Sequence, residues 1–479
     1  MADKPDLVLR DVELDGRLVD VRVAGGVVAE VGSGLRPSPR DDAELVDGAG
    51  GALVPGLHDH HIHLLATAAA RRSVAAGPAD VGGRAGLAAA LRAAGAALPP
   101  GRWVRAVGYH ASVAGDLDRR AVDALLADRP VRIQHRSGAR WVLNSAAVDA
   151  LGLDDGRDDS DRPGVERDAA GRATGRLHRA DTWLRPLVAE DGPPDLAALG
   201  ALLAGRGVTG VTDTTPYADL ADLAPLSAAA RAGSLPQRVV VTGGPELAGA
   251  DPPDGLEWGP VKLVIDDADY PALEALAGQV GAAHGHGRSV AIHCVTRAAL
   301  VLALAAWEVA GARPGDRVEH GAVIPPELVP DLRRHGLTVV TQPGFVAERG
   351  DEYRAEVDAA DLPHLYPCRS LIAAGVAVAG STDAPYSDPD PWRAVAAAVA
   401  RRTRSGAVLD AGEAVTPRRA LDLFLSGPQA PGGPPRRVVA GAAADLCLLD
   451  RPLGAALAVP ASLRVACTIR RGRISPRPS

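Results

Sequence analysis

The 479-residue chain predicts an α/β fold: a (β/α)8 TIM-like barrel, a small composite β-sandwich from both termini, and a subdomain inserted after strand 1. Three observations predict it. From about Asp195 onward, Ala-rich helical stretches alternate with short Val/Ile runs, as successive βα units do. Those runs, together with one near Leu53, number eight. Both ends of the chain instead alternate apolar and polar residues around glycine turns, which is the pattern of hairpins.

In chain order, residues 6–53 carry turns at Asp15-Gly16 and Gly25-Gly26. The tail has the same character at Ala444–Asp450, Leu463–Ile469 and Arg471–Ile474. Neither end has enough strands to stand alone, so residues 1–52 and 429–479 are expected to combine. Barrel strands are expected at Leu53–His63, Val208–Thr214, Arg238–Thr242, Val261–Ile265, Ser289–His293, Arg317–His320, Leu337–Thr341 and Val376–Ser381. The barrel then takes residues 53–66 and 196–428. Residues 67–195 are too long for an unstructured connection and are expected to form an inserted subdomain near the barrel mouth. Arg167–Gly175 reads as a hairpin within it, and an insertion there would shape the pocket or act as a lid. Gly427-Pro428 and Gly432-Gly433-Pro434-Pro435 mark a loop returning to the sandwich.

A net charge of −7 leaves no electrostatic footprint for nucleic acid or an anionic membrane. Met1–Arg10 lacks a cationic start followed by an apolar stretch, and no apolar run reaches the roughly 18 residues of a membrane span. Cys294, Cys368, Cys447 and Cys467 show no zinc-type spacing and read as reduced residues of a cytoplasmic protein.

Chemistry enters with the cations. Lys4 and Lys262 are the only lysines among 52 Lys plus Arg, so Arg is the default cation. Lys262 sits in the apolar run Val261–Ile265. A buried Lys can lose its proton and react as an amine, whereas Arg stays protonated. Upstream, Leu57-His58-Asp59-His60-His61-Ile62-His63 follows Pro55-Gly56. Strand side chains alternate, so Asp59, His61 and His63 share one face while His58 and His60 share the other. Two imidazoles on one face can hold one metal ion. His293, His320 and Asp383 close three further apolar runs. In a parallel α/β barrel, catalytic groups gather at that end of the strands.

These pieces resemble the metal-dependent amidohydrolase superfamily, in the branch that contains N-substituted formamide deformylases. The matching motifs are Pro55–His63, Val261-Lys262-Leu263, Ala291-Ile292-His293, Arg317-Val318-Glu319-His320 and Gly380–Pro385, in the family's order. The likeness runs from about Val8 to Arg473. It implies that His61, His63, His293, His320 and Asp383 bind metal, with Lys262 carboxylated to bridge two ions. Only a primary amine can become such an anionic, two-oxygen ligand. Zinc suits this donor set, one or two ions, with nickel, iron or manganese as alternatives. The implied reaction is attack of a metal-activated hydroxide on a non-peptide C–N bond, amide or formamide. Asp383 takes the proton and passes it to the leaving nitrogen. The chain departs from the branch at Cys294–Ala298, where relatives carry Gly-Asp-Arg-Ala, and at Ala139, where relatives often carry His.

Asp59 reads as support for the imidazoles, His58 and His60 as structural, and His284 and His286 as turn residues on the wrong end of the barrel. Aromatic residues make up 3% of the chain. Tyr217, Phe345, Tyr353 and Tyr386 follow expected strands, and Tyr109 and Trp141 lie in the insertion. Together they suggest a small-molecule substrate with an apolar or aryl group. Arg136 and Arg140 offer an alternative, recognition of a carboxylate. A homodimer is a further expectation. Rival readings are a mononuclear deaminase, which would lack the lysine ligand, an ester or lactone hydrolase on the same metals, and a non-catalytic barrel homologue.

Overall fold

The computed structural model describes residues 6–36, 44–155, 162–188 and 194–475. It has two compact units, Met1–Leu64 with Leu196–Ser479, and Leu65–Asp195.

The first unit carries eight parallel strands in the expected order: β1 (Leu57–Ile62), β2 (Val208–Asp213), β3 (Arg238–Val241), β4 (Val261–Val264), β5 (Val290–Cys294), β6 (Arg317–His320), β7 (Thr338–Thr341) and β8 (Ala377–Gly380). β1, β2 and β3 pair in sequence, with the two-residue strand Glu257–Trp258 at the edge. β4 to β8 form a second parallel sheet. Parallel strands covered on both faces tolerate continuous apolar runs, which is why Val239-Val240-Val241 and Val290-Ala291-Ile292 are buried throughout. Backbone hydrogen bonds tie the two sheets at both margins. Lys262 N–H donates to Gly243 O, and Asp383 N–H donates to His61 O, each at 2.8 Å.

α-Helices link most successive strands, although only the 3-10 turn Pro245–Leu247 and the short strand Glu257–Trp258 lie between β3 and β4. Arg297–Ala310 begins where the Thr296 side chain accepts the Ala299 N–H, a cap that satisfies one of the free donors of the first turn, and it ends at Gly311.

The expected first strand is divided. Leu53–Pro55 pairs antiparallel with Leu446–Leu449, whereas Leu57–Ile62 pairs parallel with Val208–Asp213. Gly56 makes the division possible, because a Cβ there would lie 2.1 Å from Thr209 Cγ2. Two small four-stranded sheets flank this point. One runs Val27–Gly32, Arg17–Ala24, Leu7–Leu14, Glu44–Asp47, and the other Arg473–Ile474, Val465–Arg470, Leu446–Leu449, Leu53–Pro55. Leu9, Val21 and Val23 of the first share a buried cluster with Leu53, Leu446, Leu448 and Ile469 of the second.

Leu65–Asp195 contains a six-stranded sheet of its own. In it Val165–Arg167 and Ala173–His178 form an antiparallel hairpin. Trp141 lies in a buried cluster there, its Nε1 donating to Asp181 at 3.0 Å. Tyr109 is equally buried, its hydroxyl on Gly115 O at 2.5 Å. Both aromatics therefore serve the core of this unit. Arg140 is paired with Asp116 at 2.7 Å.

His284 is helical rather than a turn residue. It closes the helix Leu273–Gly285 and meets buried Asp316 at 3.1 Å, with His286 at the C-cap. All four cysteines are buried and free. Among the described residues no helix is long and apolar enough to cross a membrane.

Two glycines test the packing in opposite directions. A Cβ on Gly210 would lie 2.4 Å from His58 Nδ1, on a ring already bonded to Thr212 Oγ1 at 2.9 Å. Gly210→Ala is expected to destabilise by about 1–3 kcal/mol, the usual range for an overpacked core. Gly278, within the helix Leu273–Gly285, has nothing within 4 Å of its would-be Cβ. Gly278→Ala should stabilise by about 0.5–1 kcal/mol. Urea midpoints of the two variants against the parent check both signs.

Candidate metal centre

β1 delivers His61, and His63 follows the strand by one residue beyond its last member. Their rings lie with centroids 5.3 Å apart. The other sheet supplies the facing carboxylate. His61 Nε2 lies 3.5 Å and His63 Nε2 3.3 Å from Asp383 Oδ1, and His320 Nδ1 lies 3.7 Å from Asp383 Oδ2. One ligand atom from each of His61, His320 and Asp383 falls within 4.8 Å of the other two. The His293 ring stands 4.4 Å from that of His320, centroid to centroid. Lys262, buried on β4, reaches none of these by hydrogen bond. It belongs to the same electrostatic neighbourhood, with Glu319 and Asp383 both acting on its ammonium.

Two of these residues sit in left-handed backbone, His320 at φ 69° and Asp383 at φ 57°. Few non-glycine residues adopt it. Strict alternation along β6 would send Glu319 and His320 to opposite faces. The left-handed turn at His320 ends the alternation, and its ring lies 4.7 Å from that of His61. Asp383 is fixed by the N–H it donates to His61 O and by the Tyr386 N–H it accepts, both at 2.8 Å.

Each imidazole facing Asp383 is oriented by a different partner on its Nδ1. His61 Nδ1 bonds Glu319 Oε2. His63 Nδ1 meets Thr215 Oγ1 at 2.8 Å, and His320 Nδ1 meets Gln342 Oε1 at 2.8 Å. Gln342 in turn donates to Ser381 Oγ at 2.9 Å. Glu319, Thr215 and Gln342 are functional neighbours that the sequence reading leaves unassigned. Their one visible signal is position, since all lie at or just past the C-terminal end of a strand. Asp59 supports the site by another route than a ring contact. It accepts Thr382 N–H at 3.0 Å, the Thr382 hydroxyl at 2.5 Å and His61 N–H at 3.2 Å, and so holds the backbone on either side of the centre. His58 and His60 face away, bonded to Thr212 Oγ1 at 2.9 Å and Ser426 Oγ at 3.0 Å.

Burial sets the protonation. It pushes the His61 imidazole far below its usual range, with the Lys262 charge adding to the effect, and it pushes His320 down as well. Neutral imidazole is the form that binds metal. Burial also pushes the Asp383 carboxyl up, but His61, His63 and His320 outweigh it and hold the group ionised, well below the usual carboxylate range. Lys262 is pushed down from the ordinary lysine range by burial, against the raising pull of Glu319 and Asp383. Three buried atoms here, His61 Nε2, Lys262 Nζ and Asp383 Oδ1, lack a hydrogen-bond partner. Leaving such groups unpaired costs about 1–3 kcal/mol each. Neutral imidazoles around an ionised carboxylate fit a divalent cation, which would give two of those atoms a partner.

Among the aromatic candidates, Tyr386 lies edge-on to His63 with centroids 5.4 Å apart. It packs on the buried cluster that includes Phe345 and Tyr366, with Tyr353 alongside. Tyr217 is buried with its hydroxyl 3.4 Å from Asp213.

Residues 44–476 match the Amidohydrolase family. The chain is 27% identical to an N-substituted formamide deformylase from Arthrobacter pascens, over 94% of each sequence. In three dimensions it resembles an uncharacterized metal-dependent hydrolase from Pyrococcus horikoshii, with a TM-score of 0.70 and 21% identity, covering 98% of this chain and 100% of that one. A second such hydrolase, from Pyrococcus furiosus, gives a TM-score of 0.68 at 21% identity, over 93% and 99%. Likenesses at that identity speak to the fold alone.

Asp59 yields a pH prediction. Burial raises its carboxyl from 3.8 to about 7, although bonds from Thr382 and His61 oppose the rise. The folded protein therefore keeps a proton that the unfolded chain loses near pH 4. The stability this group contributes is full below about pH 4 and is lost as pH rises through about 7. Asp59→Asn mimics the protonated acid. In chelator-treated protein the variant should lose stability less steeply than the parent between about pH 4 and 7, as read by urea midpoints at each pH.

Proposed function

The chain belongs to the amidohydrolase family, and on that footing we propose that it is a cation-dependent hydrolase of non-peptide carbon–nitrogen bonds, amide or formamide. The observation that carries this reading is the convergence of His61 and His320, whose burial disfavours protonation, on one ionised, buried carboxylate, with His61 Nε2 and Asp383 Oδ1 3.5 Å apart and both without a hydrogen-bond partner. His61, His63, His293, His320 and Asp383 would hold the cation, with zinc the ion best matched to imidazole and carboxylate donors. When bound, a divalent cation supplies Lewis acidity, polarising a substrate carbonyl and lowering the pKa of water toward about 7.

The remaining chemistry belongs to the side chains. Asp383 is ionised and lies within 3.3–3.7 Å of three imidazoles, so it is placed to accept the proton of the attacking water. It then returns that proton to the departing nitrogen, which leaves poorly as an anion. General acid–base transfer of this kind contributes about 10²–10⁴-fold. Lys262, buried and unpartnered, with its ammonium disfavoured by burial, is suited to become a carbamate by adding CO2 and releasing a proton. The carbamate would give the centre a second anionic ligand. His63 is more open than His61, with side-chain exposures of 15% and 1%, so substrate is expected to approach over His63. Tyr386 on that ring supports a substrate with an apolar or aryl group. We also read the two backbone seams as closing β1 to β8 into a barrel, and the two small sheets as one sandwich.

The test is metal analysis of the purified protein followed by assay against a panel of N-formyl and N-acyl amines. Release of an amine, lost on chelation and restored by zinc, is expected. Zinc-loaded protein that cleaves no C–N substrate would overturn the reading. Asp383→Asn should lower kcat by about 10²–10⁴-fold. After exposure to ¹³C-bicarbonate the parent should show a carbamate carbon by NMR, and Lys262→Arg should not.

A further inference from the structure

We infer that Glu319 is a positioning residue for the centre, which locks the His61 ring through Nδ1 and is itself locked by Arg317. This rests on the cation-dependent reading above. Arg317 and Glu319 stand two apart on β6 and so share a face. Arg317 Nε comes to 2.5 Å from Glu319 Oε1, off the hydrogen-bonding direction, and the other oxygen, Oε2, takes His61 Nδ1. All three side chains are buried, at 2%, 0% and 1% exposure.

The asymmetry among the rings carries the inference. Of the three imidazoles around Asp383, His63 and His320 rest on neutral partners, Thr215 and Gln342. His61 Nδ1 bonds a carboxylate, Glu319 Oε2. A charge-assisted bond is roughly twice as strong as a neutral one. A carboxylate opposite Nδ1 requires that nitrogen to carry the proton, which leaves the Nε2 lone pair aimed at Asp383. Such a partner also makes the ring a better donor to a cation.

A merely structural Arg–Glu pair would look different. Buried guanidinium and carboxylate favour the two-pronged arrangement that satisfies both groups. Here Arg317 Nη2 has no hydrogen-bond partner, and Glu319 spends its second oxygen on His61. The ion pair is arranged for the imidazole rather than for itself.

The experiment uses full-length protein and two readouts besides activity. Zinc affinity is measured by competition with a chromophoric chelator, and the histidine tautomers of the chelated protein by long-range ¹H–¹⁵N correlation. Glu319→Gln keeps an acceptor but loses the charge, and zinc affinity should fall about 10–100-fold. Glu319→Met loses both, so affinity should fall further and the His61 proton should redistribute to Nε2. KM measured at saturating zinc should be unchanged. Should the single variants fail to fold, the double variant Arg317→Met with Glu319→Gln leaves no lone buried charge and carries the same affinity test. Folded variants with parental zinc affinity and an unmoved His61 tautomer would overturn the inference. A parent protein that binds no zinc would instead overturn the proposed function, and the tautomer readout would still decide the role of Glu319.

Discussion

The backbone N–H of Asp383 donates to the carbonyl of His61, and the arrangement of the centre depends on that 2.8 Å bond. It joins the end of β8 to β1, so the carboxylate and the imidazole pair are set by main chain before any side chain adjusts. Asp59 reinforces the junction by taking N–H groups from His61 and Thr382, one on each side of it. His63 N–H adds a third tie, to Ala384 O at 2.9 Å. Side-chain rotamers relax easily, but a main-chain lattice does not. Left-handed backbone at Asp383 is tolerated because these ties over-determine it.

The electrostatic design follows from that rigidity. Concentrating His61, His320, Lys262, Glu319, Arg317 and Asp383 in a space without solvent is unfavourable unless each charge is removed or matched. Two devices appear. The rings of His61 and His320 stay neutral, and Glu319 is set against the Arg317 guanidinium, while Asp383 lies among the imidazoles with its Oδ1 left without a hydrogen-bond partner. Burial increases along the set, from His63 at the open side to Glu319 at the closed side. A reactant therefore meets a graded surface whose inner end is fixed and whose outer end is accessible.

Strands such as Arg238–Val241 and Thr338–Thr341 were readable because they are short β-branched runs bounded by Gly, Pro or polar residues, as a doubly covered sheet demands. The opposite roles of His60 and His61 followed from the period of two alone. The division of the first strand at Gly56 did not, since it depends on Thr209, a neighbour contributed by β2. His320 shows the same limit, because alternation points it away from the centre until one left-handed residue reverses the rule. The role of Glu319 required knowing that His61, 258 positions earlier, returns to meet it. Position at a strand end was visible in the sequence. Which groups face each other there was not.

The short segment Leu53–Pro55 has a consequence for synthesis on the ribosome. Its hydrogen-bonding partner is Leu446–Leu449, close to the far end of the sequence. At about 5–20 residues per second, an emerging chain would wait roughly 20–80 s before that partner appears. Throughout that time Leu53 and the apolar side of Leu7–Leu14 have only half of their shared cluster available. Nascent protein is thus most exposed to self-association, and most in need of chaperone shelter, at its beginning.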